Sequence, residues 1–188
     1  MNAIILASGN SSRMGKNKLL MDYKGCAMIQ RVINVIKSVD FVTVTLVGKH
    51  KEVLNIAESS GIKVIENYNS DKGQSESIKL GVSSINNNEG FMFFCGDQPF
   101  LNKDIIDYLI KVSIENNEAI VRPMFQGRSG SPVIFPNCLK EELLKLQGDN
   151  GGKVIIKKAL TKVIDVEIND SKFLRDIDTM EDYKEILG

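Results

Sequence analysis

The chain has 188 residues, 43% hydrophobic and 26% charged, and its 24 basic and 24 acidic side chains cancel. This is the composition of an ordinary globular chain, read as one domain over residues 1–188, and the charge balance argues against nucleic acid as a partner. Cys26, Cys95 and Cys138 are scattered and form no C-x-x-C, and no apolar run reaches membrane-spanning length; a disulfide framework, a structural zinc and a membrane partner are therefore not expected, and a cytoplasmic setting is.

Ile4 to Ala7 reads as a buried strand that empties into a loop of small residues carrying Arg13, Lys16 and Lys18. Small residues let backbone N–H groups approach an anion, and Arg and Lys neutralise what the amides cannot, so a polyphosphate suits this loop. The P-loop pattern does not fit, because five residues separate Gly9 from Gly15 and Asn17 follows Lys16. The dinucleotide G-x-G-x-x-G is absent as well. What stands is L-A-x-G-x-S-x-R-M-G-x-x-K, from Leu6 to Lys18. A glycine-rich turn with solvated charges is the plainer alternative.

Further along, residues 27–37 place Ile29, Val32, Ile33 and Ile36 on one helical face. A strand over Val42 to Val47 precedes a helix over 50–59. His50, the only histidine, reads as a solvated helix start, which leaves no Ser-His or Cys-His nucleophile system. After a strand over Ile62 to Ile65, Lys72 to Ser77 opens a helix over 74–85. Its glycine and serines could read a nucleobase edge or form a plain helix N-terminus.

The apolar strand Phe91 to Cys95 delivers Asp97 in Gly96-Asp97-Gln98-Pro99. Asn102 is better placed to cap the helix over 103–115, which leaves Asp97 for Mg²⁺, an ion commonly held by one or two carboxylates plus phosphates. Strands over Ala119 to Val121 and Val133 to Phe135 flank a basic loop, Gly127 to Pro132, which with Arg122 could hold an anionic acceptor. Helices over 138–146 and 152–160 lead to a strand over Val163 to Ile168. In Asp176-Ile177-Asp178-Thr179 the two acids alternate on a strand-like segment and point to opposite sides. Asp178 is a second metal acid or the cap of a helix over 179–186, with Thr179 competing for that cap.

Strands alternating with helices imply a mostly parallel sheet covered on both faces, with ligands at the carboxyl ends of its strands. The loops after Ala7 and after Cys95 then share one rim.

Taken together, the opening motif, Gly96 to Pro99, Gly130 to Phe135, Gly148-Asp149-Asn150-Gly151-Gly152 and Asp176 to Thr179 resemble the MobA-like nucleotidyltransferases. The resemblance covers nearly the whole chain and is greatest to the molybdenum cofactor cytidylyltransferase branch. It implies a glycosyltransferase-A-like, three-layer α/β/α sandwich with a mixed, mostly parallel sheet. It also implies Mg²⁺-dependent transfer of CMP from CTP to the phosphate of molybdopterin, with release of pyrophosphate and delivery of the product to a molybdoenzyme. By this likeness Arg13 and Lys18 hold phosphates, and Leu6, Ala7, Ser8 and Gly9 line the nucleotide. Gly73, Gln74 and Ser75 fall in the base-reading segment with Asp71 beside them. Asp97 and Asp178 are the metal acids, and Gly127 to Pro132 borders the acceptor. The guanylyl branch resembles L-A-G-G at the opening; Ser8 stands at the first of those glycines and favours CTP over GTP. Gly152 and Lys153 replace the commoner alanine and arginine. Other nucleotidyltransferases, for GTP or sugar phosphates, and a non-catalytic cofactor carrier are the rival readings.

Overall fold

The structure, a computed structural model, describes residues 1–9, 15–158 and 160–187. Its main sheet is assembled from β1 (Asn2–Ala7), β4 (Thr43–Gly48), β5 (Lys63–Glu66), β6 (Phe91–Cys95), β7 (Ile120–Phe125), β9 (Val133–Phe135) and β10 (Val163–Glu167). The order is β10-β7-β9-β6-β1-β4-β5, with the short β8 (Arg128–Ser129) paired to β7. All the pairings in that order are parallel except those of β9, which runs antiparallel to both β6 and β7. A two-stranded hairpin, β2 (Asp22–Tyr23) and β3 (Cys26–Ala27), stands apart. Its turn residues Lys24 and Gly25 both have positive φ, the geometry a two-residue hairpin turn requires.

The helices are α1 (Met28–Lys37), α2 (Lys51–Ser59), α3 (Gln74–Ser83), α4 (Lys103–Glu115), α5 (Lys140–Leu144), α6 (Lys153–Lys157) and α7 (Met180–Leu187). Alternation along the central strands separates two apolar layers. Ala3, Ile5, Met92 and Phe94 face α1, α2 and α4, whereas Ile4, Phe91 and Phe93 face α3, α5 and α6. The near-continuous apolar runs of β1 and β6 follow from burial on both sides. This is the mostly parallel, three-layer α/β/α arrangement of the nucleotide-diphospho-sugar transferase fold.

β7 runs on to Phe125, four residues past the expected end at Val121, in spite of Pro123. β9 pairs with β7 only at Val121↔Ile134, and Pro123 faces that same side, where its carbonyl accepts from Gly130 N–H. The missing donor of Pro123 therefore interrupts no ladder there. The expected helices 138–146 and 152–160 shorten to five residues each, the first after a 3₁₀ turn at Asn137–Leu139.

Gly152, an unusual choice on the sequence resemblance, has a packing cause. A Cβ there would lie 2.4 Å from Phe135 Cζ, and that ring is buried edge-on against Phe93. Gly152→Ala should cost about 1–2 kcal/mol in urea unfolding, since overpacking costs about 1–3 kcal/mol and lost unfolded-chain freedom returns about 0.4–1. Combined with Phe135→Leu, the two substitutions should cost less than their sum.

Candidate active site

The chain order reverses between β1 and β6: from β1 it proceeds outward to β4 and β5, then returns to β6 on β1's other side. Leu6 lies opposite Cys95 across that seam, and Gly96 N–H donates to Leu6 O at 3.0 Å. The loops leaving the two strands diverge and open a crevice at their carboxyl ends. A cleft of about 380 Å³ occupies it.

Three segments deliver charge to this cleft. Asp97 follows β6 directly. Lys18 opens a 3₁₀ turn, Lys18–Leu20, whose cap is Asn17: its side chain accepts from Leu19 N–H, and buried Leu19 anchors the turn in the core. Asp178 arrives after β10, where the chain crosses the rim on the buried anchors Phe173 and Ile177, and Ile177 N–H donates to Asp97 O at 3.2 Å. That backbone bond sets the two acids side by side.

Lys18 Nζ lies 2.5 Å from Asp97 Oδ2 and 2.8 Å from Asp178 Oδ1. The side chains of Lys18 and Asp97 are only 12% and 19% exposed, so this cluster is shielded from water on its inner side, and Asp178, at 46%, stands at the mouth. Burial opposes the charge on Lys18, but Asp97 and then Asp178 outweigh it and hold the lysine pKa above its ordinary value. Asp176 keeps part of its surface in solvent, yet protein packed around its carboxyl, together with Asp97 and Asp178, raises its pKa to about 6. It therefore lies within electrostatic reach of the same cluster. The segment is irregular, not a strand, so period-two alternation does not apply. Burial and the nearby Asp97 push the Cys95 thiol up to about 12, which keeps it protonated and unsuited to nucleophilic attack.

Thr179 is the helix cap. Its Oγ1 accepts from Asp182 N–H, and Asp182 Oδ2 accepts from the Thr179 and Asp178 backbone N–H groups and from the Thr179 hydroxyl. This reciprocal box leaves the Asp178 carboxylate for Lys18.

At the other end of the cleft, Gly73 and Gln74 begin α3 against the 148–152 loop. Ser75 N–H donates to Gly148 O, and Gln74 N–H to Asp149 Oδ1. Gly73 has φ +104°, and a Cβ there would lie 2.3 Å from Gly148 C, so the docking requires glycine.

Among the residues singled out by sequence, Leu6, Ala7, Ser8 and Gly9 line the cleft, as do Lys18, Asp97, Asp178, Gly73 and Gln74. Ser75 lies behind the wall, fully buried, and Asp71 is exposed on the preceding turn; neither lines the cleft. Arg13 lies outside the described residues. Arg122 is not available to an anionic acceptor, because it pairs with Asp165 across β7 and β10. Ser131, in the loop before β9, meets Cys95 and donates to Phe93 O at the rim. Ser77, one of the serines of the Lys72 to Ser77 segment, lines the cleft as well, and Ser70 and Asp149 join the lining without having been assigned a part; the G-D-N-G-G run is the sequence signal for Asp149.

Carboxylate oxygens are the donors that Mg²⁺ and Mn²⁺ take, and here two carboxylates converge on one cation, the Lys18 ammonium. The pair thus fits a divalent ion completed by phosphate oxygens. Among the described residues no cluster of three or more His, Cys, Asp or Glu side chains has metal-holding geometry.

A crevice at the carboxyl rim of this sheet, with paired acids and a lysine, is where such a fold places a ligand. The model of the MobA-like NTP transferase domain matches residues 3–163, and the chain belongs to that family. It is 28% identical to a probable molybdenum cofactor guanylyltransferase of Clostridium perfringens (99% of this chain, 96% of that one). It is 25% identical to the molybdenum cofactor cytidylyltransferase of Escherichia coli K12 (97% and 93%). The fold superposes on Rv0371c of Mycobacterium tuberculosis H37Rv, solved with manganese, with TM-score 0.82 at 19% identity, covering 99% of this chain and 97% of that one.

The Thr179–Asp182 box gives a test. Asp182→Ala should lose about 1 kcal/mol in thermal or urea unfolding at neutral pH. The hydrogen bonds from Thr179 depress the Asp182 pKa, so its contribution is complete above the ordinary carboxylate range and fades as pH falls through it. The gap between wild type and variant should narrow accordingly in acid.

Proposed function

We propose that this protein transfers CMP from CTP to the terminal phosphate of molybdopterin cofactor and releases pyrophosphate. The observation that carries this reading is the bridge from Lys18 to both Asp97 and Asp178 in the cleft beside the β1 loop. The names of the relatives support the acceptor, and a molybdoenzyme is the recipient the reading implies. Three free thiols, Cys26, Cys95 and Cys138, support a cytoplasmic setting.

In this reading a phosphate oxygen of the acceptor attacks the α-phosphorus of CTP as the bond to pyrophosphate breaks. A phosphate monoester is largely dianionic at neutral pH, with a second pKa of about 6, so no strong general base is needed. The site agrees: His50 does not line the cleft, and Cys95 is held protonated. The barrier is repulsion between anions. Lys18 offsets charge developing on the departing pyrophosphate, and Arg13 is assigned the same work from its place in the motif. Asp97 and Asp178 would hold Mg²⁺ or Mn²⁺, which supplies further neutralisation of phosphate charge when bound. Gly73 and Gln74 border the base.

CTP is favoured by Ser8. Its hydroxyl turns back toward Val47 O at 3.4 Å and fills space at the position where the guanylyl motif carries glycine. GTP is the second reading, favoured by the guanylyltransferase names among the relatives. Pyrophosphate release with each NTP, with and without molybdopterin cofactor and divalent metal, decides between them. Ser8→Gly should shift the preference toward GTP, and an unchanged CTP/GTP ratio would remove Ser8 from base selection.

Lys18→Ala and Asp97→Ala should each lower turnover by about 10²–10³, the typical loss when one preorganised stabiliser is removed, with the fold retained by circular dichroism. Near wild-type turnover in either variant refutes the assignment.

A further inference from the structure

We infer that Lys18 and the divalent cation compete for the Asp97–Asp178 pair, so that the protein takes up metal well only after a triphosphate has drawn Lys18 away. The inference rests on the nucleotidyl-transfer reading and adds a binding order to it.

The ammonium of Lys18 sits 2.5 and 2.8 Å from the two carboxylates proposed to hold the metal. A divalent ion added with the lysine in place would put two cations on the same oxygens, a repulsion that a shielded site screens poorly. Lys18 cannot simply retreat: Leu19 and the Asn17 cap pin its backbone, and burial opposes its charge unless an anion stays beside it. A triphosphate in the cleft offers that anion. Transfer of the ammonium from carboxylates to phosphates then vacates the metal ligands. By linkage the effect is reciprocal, each ligand raising affinity for the other. The competition differs from the ordinary help phosphates give as metal ligands, because it predicts a change with no nucleotide present.

The test is Mn²⁺ binding to the nucleotide-free protein, read as free Mn²⁺ by electron paramagnetic resonance. Lys18→Met keeps the stem and removes the charge, and should bind Mn²⁺ about tenfold or more tightly than wild type. Lys18→Arg, which keeps a cation in place, should remain as weak as wild type, and thermal melts report whether each variant is folded. Adding Asp97→Ala to Lys18→Met should abolish the gain. Equal or weaker Mn²⁺ binding by a folded Lys18→Met overturns the inference, as does a gain that survives Asp97→Ala. Failure of the underlying reading shows separately, as wild-type protein that releases no pyrophosphate from any NTP.

Discussion

Two carboxylates brought together in a half-shielded crevice repel each other and lose hydration, so they stay together only around a cation. In this protein Lys18 supplies it, and much of the architecture serves to bring the three groups to one point. The β1–β6 seam provides the crevice, Leu19 roots the lysine, and Ile177 fastens the last segment to the backbone of Asp97. Lys18 and Asp178 are 160 residues apart, so the cluster exists only in the folded chain. The raised pKa of Asp176 comes first from the protein packed around its carboxyl and then from the nearby Asp97 and Asp178.

The cleft divides its labour by polarity. One end gathers Lys18, Asp97 and Asp178 from the loops that leave β1 and β6 and from the segment after β10, and in the proposed reaction repulsion between phosphates is overcome there. Its other end is built from backbone groups, small residues and Asp149, where α3 meets the 148–152 loop. An anionic side chain beside Gln74 suits the part of a nucleotide that carries no phosphate. That division agrees with transfer chemistry that requires charge neutralisation and neither a histidine nor a thiolate.

The strands and helices were largely legible because apolar runs and 3.6-residue periodicity report burial directly, as in Phe91 to Cys95 and Ile29 to Ile36. The rim was legible too, since parallel sheets place ligands at their carboxyl ends. What stayed hidden depends on long-range partners. Apolar composition does not encode strand direction, so the inversion of β9 was invisible. Arg122 looked available because Asp165 lies on a neighbouring strand 43 residues away. Ser75 looked like a site residue because the sequence does not show which face of α3's first turn meets Gly148. The hairpin at Asp22–Ala27 is too short to show a period.

The inversion of β9 also shapes the rim itself. A parallel strand presents the loop that follows it to the ligand side, whereas a strand running the other way presents the loop that precedes it. Val133 pairs with Phe93 near the end of β6, so the turn through Gly130 and Ser131 reaches the same rim of the sheet, beside Phe93 and Cys95. The turn before β9 and the loops that leave β1 and β6 are therefore separately connected stretches of chain, and the turn can change in length or chemistry while the loops keep their contacts. In the proposed reaction, one scaffold thus keeps a fixed grip on its donor and varies what it offers to the second substrate.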